Sequence, residues 1–284
     1  MKTILITGNS GYIGSHLSKL LYNDYEIHGL DINEPQALVH QQYMCDIRKP
    51  FVLEEEFDAC IHLAALVNVG ESEQKPIDYY ITNLTGTMNL INRINCKNFI
   101  FASTGAADGC ESAYGISKRA AEDVVREYCT VHNPKDFTIF RFYNVIGSDG
   151  FAPTNPDGLM HNLMRACDTG EFTIFGNDYE TIDGTCIRDY VHVDEICYAI
   201  KVAIEKPANS VESLGHGVGY SVKEIYEIFE RVNQDYLYPP GHEDAITLTY
   251  GPRRKGDVPI SVLDGVSRYM TNMFTMEELL KINA

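Results

Sequence analysis

"TGNSGYIGSH", residues Thr7–His16, decides how this chain folds. Gly8, Gly11 and Gly14 stand three residues apart, behind the apolar run Thr3–Thr7 and ahead of a helical pattern over Tyr12–Tyr22. Strand, glycine turn and helix in that order allow a tight turn and bring the free N–H groups of a helix N-terminus to face a pyrophosphate. A glycine triplet by itself suits a tightly packed turn equally well, so the surrounding pattern carries the argument.

Outward from the turn, strands alternate with helical stretches. Glu26–Leu30 reads as a second strand ending at Asp31, Tyr43–Cys45 as a third ending at Asp46, Ala59–Leu63 as a fourth, Phe99–Ala102 as a fifth and Phe137–Phe140 as a sixth. Helices are predicted near Pro76–Asn95 and Ala113–Val131. This alternation predicts an α/β fold, a Rossmann-type doubly wound parallel sheet with right-handed crossovers. A carboxylate at Asp31 accepts hydrogen bonds from a ribose diol and repels a 2′-phosphate, which favours NAD over NADP. Asp46 is placed to meet the adenine edge, and an isolated Asp there is equally a plain loop residue. After Gly147 the texture changes. Ser148–Gly158 is rich in Gly, Pro, Asp and Asn and reads as a domain-crossing loop. Beyond it come a helix near Leu159–Thr169, a strand at Phe172–Phe175, and helices at Glu195–Glu205 and Ser221–Val232. The expected division is a dinucleotide-binding domain over 1–148 and a smaller mixed α/β substrate domain over 149–284, with residues near 186–205 candidates to return to the first.

The chain has 284 residues, 44% hydrophobic and 22% charged, enough for a sizeable core. Its formal net charge of -17 argues against nucleic acid or an anionic membrane as the main partner. Arg253-Arg254-Lys255 is the densest basic spot and suits an anion. No stretch approaches the roughly 20 apolar residues of a membrane span, and the N-terminal apolar run is too short for a signal peptide. Eight scattered cysteines without a Cys-x-x-Cys pair suggest reduced thiols in a cytoplasm.

The second informative stretch is "ASTGAADGCESAYGISK", Ala102–Lys118. Tyr114 and Lys118 are four apart and share one helix face. A tyrosine with a pKa of about 10 is a poor base at neutral pH, and a neighbouring lysine cation together with the positive nicotinamide of NAD favours its phenolate. Thr104 follows the fifth strand at the edge where open α/β sheets bind ligands, so its hydroxyl can bond a reacting oxygen. A lone Tyr-x-x-x-Lys is more often a surface helix face; the glycine turn and Thr104 favour catalysis. His192 and His216 lack metal-ligand spacing and read as structural.

Together with "HLAA" (His62–Ala65) and "YYITNLTGT" (Tyr79–Thr87), these motifs resemble the extended short-chain dehydrogenase/reductase family. "RFYN" (Arg141–Asn144), "HNLM" (His161–Met164), "FGNDYETIDGTCIRDYVHV" (Phe175–Val193) and "PRRKGD" (Pro252–Asp257) are similar to its UDP-glucose 4-epimerase (UDP-galactose 4-epimerase) branch over nearly the whole chain. The resemblance implies NAD contacts at Gly8, Gly11, Tyr12, Ile13, Gly14, Asp31, Asp46, Ile47, Leu63, Ala64, Ala65, Asn83, Tyr114 and Lys118. It implies catalysis by Thr104, Tyr114 and Lys118. For a UDP-sugar it implies contacts at Thr104, Asn144 and Asn162, uracil near Phe175, diphosphate at Arg188 and Arg254, and ribose at Asp257. Ser261, four residues after Asp257, is implied as a small gate that leaves room for an N-acetyl group.

The activity implied is 4-epimerisation of a UDP-hexose through a transient 4-keto sugar, in a cytoplasmic homodimer paired through the helices at Pro76–Asn95 and Ala113–Val131. The chain departs from the pattern in two places. The family's "SSAxVYG" reads "STGAADG" at Ser103–Gly109, with a short connection to Tyr114, and Val67 stands where the family has a lysine. Other readings are a nucleotide-sugar dehydratase, disfavoured by Gly105 and Ala106 after Thr104, and a non-catalytic NAD- or nucleotide-sugar-binding regulator.

Overall fold

In a computed structural model, the described residues are 1–147, 151, 153, 155, 158–237, 246–265, 267–269 and 275–281. Most of the predicted Ser148–Gly158 loop lies outside them.

The first half builds β1 (Thr3–Thr7), α1 (Tyr12–Leu21), β2 (Glu26–Asp31), β3 (Gln41–Met44), β4 (Glu56–His62), α2 (Val69–Gln74), α3 (Pro76–Tyr79), α4 (Gly86–Arg93), β5 (Asn95–Thr104), α5 (Ala106–Gly109), α6 (Ala113–Glu127), β6 (Asp136–Phe142) and β7 (Asn144–Ile146). The second half adds α7 (Leu159–Thr169), β8 (Glu171–Phe175), β9 (Ile187–His192), α8 (Val193–Glu205), β10 (Val211–Leu214), β11 (Gly219–Ser221), α9 (Val222–Val232), α10 (Gln234–Leu237), β12 (Thr247–Gly251), β13 (Ile260–Ser261) and α11 (Met276–Leu280).

Seven strands form one sheet in the order β10-β6-β5-β4-β1-β2-β3, every neighbouring pair parallel. Parallel strands covered on both faces need continuous apolar runs rather than alternation. β1 supplies one, with Ile4, Leu5 and Ile6 all fully buried. One face packs Leu17 and Leu21 of α1 and Ile196, Ile200 and Ala203 of α8 onto Ile4, Ile6 and Ile61. The other packs Leu90 and Ile91 of α4 and Ala121 and Val125 of α6 onto Leu5, Phe99 and Phe101. A separate core joins Leu163, Phe172, Ile225 and Phe229 under the smaller sheets β11-β9-β13 and β12-β8.

Four sequence expectations are corrected. The sheet has a seventh strand, β10, drawn from the second half, where six strands were expected; α8, within the stretch near 186–205 read as a candidate to return, packs on the same sheet. The predicted helix Pro76–Asn95 is broken: a π-helical segment, Tyr80–Thr85, separates α3 from α4, and Asn95 already begins β5. The helix predicted over Ala113–Val131 is α-helical only to Glu127 and continues as a π-helical turn, Tyr128–His132. The third strand is shifted to Gln41–Met44, in register with His28–Asp31 of β2.

Candidate active site

The glycine turn forms as its spacing predicts. Gly8 has φ +74°, and a Cβ on it would lie 2.7 Å from the Ala64 nitrogen. A Cβ on Gly14 would lie 2.2 Å from the Gly8 carbonyl oxygen, so no side chain fits between the turn and α1. The C-terminal end of β1, this turn, and the ends of β2, β4 and β5 open into one cleft of about 1850 Å³. That exceeds the roughly 300–1,000 Å³ of an ordinary small-molecule pocket and suits two nucleotide-sized ligands end to end.

At the dinucleotide end, Asp31 lies at the carboxyl end of β2. Its Oδ2 accepts from the Ser10 N–H at 3.1 Å and its Oδ1 from the Asn33 N–H at 2.9 Å. Two carboxylate oxygens offer about four acceptor positions, which leaves capacity for a diol. The glycine cradle and this carboxylate fit an NAD molecule. Tyr12, Ile13, Ile47, Leu63, Ala64 and Ala65 line the same cleft, as do Gly11 and Asp46. The Asp46 carboxylate is gripped by the Arg48 guanidinium, at 2.9 Å to Nε and 2.9 Å to Nη2, which holds its pKa low. Val67, where a lysine was expected by resemblance, lines the cleft with its side chain half exposed.

Asn83 does not line the cleft. It is 1% exposed; its Oδ1 accepts from Leu66 N at 2.9 Å, and its Nδ2 donates to Leu66 O at 3.0 Å and to Ser117 Oγ at 3.1 Å. With these bonds to Leu66 and α6, its amide braces the chain leaving β4.

Thr104, Tyr114 and Lys118 line the same cleft, and the Thr104 hydroxyl hydrogen-bonds the Tyr114 phenol. Thr104 is the last residue of β5, and Tyr114 and Lys118 lie on successive turns of α6. Ser112 caps α6 by accepting from Gly115 N at 3.1 Å, which fixes where the helix begins and hence where Tyr114 points. The short connection is filled by α5, after which Cys110 adopts a left-handed conformation, φ 52°.

Burial dominates the electrostatics here. Desolvation pushes the Tyr114 phenol up to about 12, opposed by the hydrogen bond from Thr104. Desolvation pushes the Lys118 ammonium down to about 7, opposed by the negative charge of Glu122. In the chain without NAD, burial thus desolvates both partners. Lys118 Nζ also sits 4.2 Å from the centroid of the Phe101 ring.

Glu122 was missed in the sequence, although it follows Lys118 by one helical turn on the same face. It is 2% exposed and bonded by the Arg141 fork, Nε at 2.9 Å and Nη2 at 2.6 Å, and by the Ser103 hydroxyl. Arg141 bonds Asp108 of α5 in turn.

The remaining predicted residues, from the second half of the chain and from Asn144, line the same cleft. Arg188 is on β9, and its Nη2 lies 3.6 Å from Oδ1 of Asp257. Ser261 is the residue paired with Arg188 across β9 and β13. The guanidinium of Arg254 lies 4.0 Å from the Phe175 ring centroid and covers one face of it. Asn144 donates to the Asp189 carbonyl at 3.0 Å, and Asn162 to the Gly158 carbonyl at 2.9 Å. The buried Asp189 carboxylate accepts from His216 N, Gly217 N and Leu263 N, tying three segments beneath Arg188. His192 caps α8 and His216 Nε2 lies 2.9 Å from Glu195, so both serve the architecture. Tyr143, also missed, lines the cleft with its ring over Gly105.

Comparison with known proteins agrees with this geometry. Residues 4–219 match the model of the NAD dependent epimerase/dehydratase family. UDP-glucose 4-epimerase of Bacillus subtilis is 32% identical over 308 residues, spanning 92% of this chain and 88% of its own. UDP-glucose 4-epimerase from Bifidobacterium longum, solved with NAD+ and UDP, matches with a TM-score of 0.81 at 25% identity, over 98% of this chain and 96% of that one. The UDP-Glc/GlcNAc 4-epimerase of Campylobacter jejuni matches with a TM-score of 0.72 at 27% identity, over 99% and 97%. With the family model matched over residues 4–219 and a relative 32% identical over nine-tenths of it, the chain belongs to the NAD dependent epimerase/dehydratase family.

Proposed function

We propose that the protein is an NAD-dependent 4-epimerase of UDP-hexoses. One observation supports the reading: Thr104, Tyr114 and Lys118 line a single cleft together with the glycine cradle and Asp31 and with Arg188, Arg254, Asp257 and Phe175. A sugar linked to UDP reaches the trio only if the nucleotide occupies the basic end. Arginine forks suit diphosphate oxygens, and a carboxylate suits the uridine ribose diol.

Tyr114 takes the proton of the sugar 4-hydroxyl, Thr104 holds the same oxygen, and Lys118 supplies the adjacent positive charge. When bound, NAD supplies a hydride acceptor that later returns the hydride, together with a positive ring. The 4-keto sugar turns before that return, so Tyr114 gives its proton back with the configuration inverted and without net oxidation. Gly105 and Ala106 after Thr104 place no carboxyl there to eliminate water, which sets epimerisation above dehydration. The complete trio sets it above a non-catalytic binding role.

Ser261, small and at the cleft wall, supports acceptance of N-acetylated as well as plain hexoses, an activity carried by the Campylobacter jejuni relative. The apolar Ile77, Ile81, Met88 and Ile116, all exposed on α3, the π-helical segment, α4 and α6, support a homodimer through those helices. Eight free cysteines suit a reducing, cytoplasmic setting. No helix among the described residues is long and apolar enough to cross a membrane. Incubation with UDP-galactose, followed by NMR for UDP-glucose, tests the activity; a 4-keto product points to dehydration, and unchanged substrate over a bound nucleotide points to a regulator.

A further inference from the structure

The loop Pro252–Asp257, which carries Arg254 and Asp257, also makes contact beyond the cleft wall. Lys255 Nζ lies 3.2 Å from Oε2 of Glu73 on α2. The other oxygen of that carboxylate, Oε1, accepts from the backbone N–H of Ala113 at 3.1 Å. Ala113 is the first residue of α6, and Tyr114 is the second. Gly256 rests on the same place: a Cβ on it would come within 3.4 Å of Val69 Cγ1, 3.8 Å of Ser112 Cβ and 3.9 Å of Glu73 Cγ. Ser112 is the cap of α6. One carboxylate thus joins the segment assigned to the nucleotide with the first turn of the helix assigned to the chemistry. Its negative charge is also favourable at that helix N-terminus.

We infer that Glu73 is a positioning residue that couples the two ends of the cleft. It fastens the loop of Arg254 and Asp257, through Lys255, to the N-terminus of α6, so that occupation of the nucleotide end seats Tyr114. The inference rests on the proposed reading of Arg254 and Asp257 as UDP-binding groups. It has a distinctive sign. Removing a negative charge beside a diphosphate site strengthens anion binding if only Coulomb attraction matters. Coupling requires the opposite, because the loop comes loose.

The test is the dissociation constant of UDP, measured by calorimetry on the full chain and on Glu73→Gln, Lys255→Met and the double variant, at low ionic strength and in about 0.5 M salt. Expected is a two- to fivefold weakening for each single variant, about the range of a partly exposed ion pair, with the double variant no worse than either and the differences lost in salt. Glutamine still accepts from Ala113 N–H but no longer holds Lys255, so Glu73→Gln raises KM on UDP-galactose and lowers kcat by less than Glu73→Ala does. Glu73→Ala loses both contacts, and its kcat falls about tenfold, within the cost of a misplaced catalytic group. Tighter or unchanged UDP binding in Glu73→Gln, or multiplicative effects in the double variant, overturns the coupling while leaving the proposed function intact. Failure of the native chain to bind UDP overturns both.

Discussion

The two ends of the cleft are built on opposite principles. Around Thr104, Tyr114 and Lys118 the protein removes water. Tyr114 and Lys118 are 9% and 3% exposed, and the nearest charges, Glu122 and Arg141, are locked to each other beneath them. Around Arg188, Arg254 and Asp257 it lines the cleft with charged groups in looser pairings: Arg254 stacks on the Phe175 ring, and Arg188, bonded to the Ile187 carbonyl, lies 3.6 Å from Asp257. The first arrangement changes how readily protons move; the second holds charge in reserve for an anion. A mutation at one end should therefore alter rate, and at the other affinity.

The largest expected effect breaks that contrast at its dry end. Tyr114→Phe removes the proton acceptor and lowers turnover by at least about 100-fold, as for other positioned acid–base groups, while UDP binding measured by calorimetry stays near native. Near-native turnover would end the assignment.

Lys118→Met sharpens the same end through stability. Unfolded, this lysine is charged below about 10.5; folded, only below about 7. Unfolding then takes up a proton between those values, so stability is lowest below pH 7 and climbs as pH rises toward 10.5. Removing the lysine should abolish that climb and leave the protein at least as stable as native at neutral pH, by an amount on the order of a few kcal/mol, while turnover collapses. Denaturant titrations across the pH range read it directly.

At the wet end, Arg188→Ala should weaken UDP by roughly tenfold or more, the worth of a charge-assisted hydrogen bond. Its kcat at saturation should change far less. Asp31 should give NAD about a tenfold advantage over NADP, through one like-charge encounter of about 1.4 kcal/mol; equal affinities in a direct binding comparison would remove its role. The smallest and most selective effect is Ser261→Tyr, expected to cut epimerisation of UDP-N-acetylgalactosamine by about tenfold, in the range for crowding one small group, and to spare UDP-galactose. A native enzyme that ignores the acetylated sugar would show that Ser261 is not the gate.

The same contrast explains what was legible in the sequence. Elements set by a local rule were read well. Helix Leu159–Thr169 has an amphipathic pattern and a left-handed Gly170 to end it, and its bounds match. The glycine turn follows from spacing and sterics, and Gly8 and Gly14 admit nothing else. Elements set by tertiary contact were not. Val211–Leu214 is four residues with no marked pattern, and it is a strand because β6 offers an edge. The π-helical segment keeps a helical pattern, so nothing in its composition marks the break. Asn83 sits in a motif read as cofactor-binding, but its amide faces Leu66 and Ser117, a choice made by chain crossing 17 and 34 residues away. Arg188 and Asp257 were singled out by the order of the resembling motifs, yet their mutual pairing appears only in three dimensions.

The seventh strand has a consequence for how the protein is made. Until β10 and α8 have been synthesised, the sheet begun by β1–β6 lacks its last strand and has only α1 to cover the face that carries Ile4, Ile61 and Phe140. At ribosomal rates of about 5–20 residues per second, the nascent chain carries that incompletely covered hydrophobic face for several seconds after Phe142 has been added. An unpaired β6 edge beside it is a template for aggregation. Chaperone demand during translation should therefore peak between β6 and β10, and a fragment cut at residue 148 would inherit that exposure permanently.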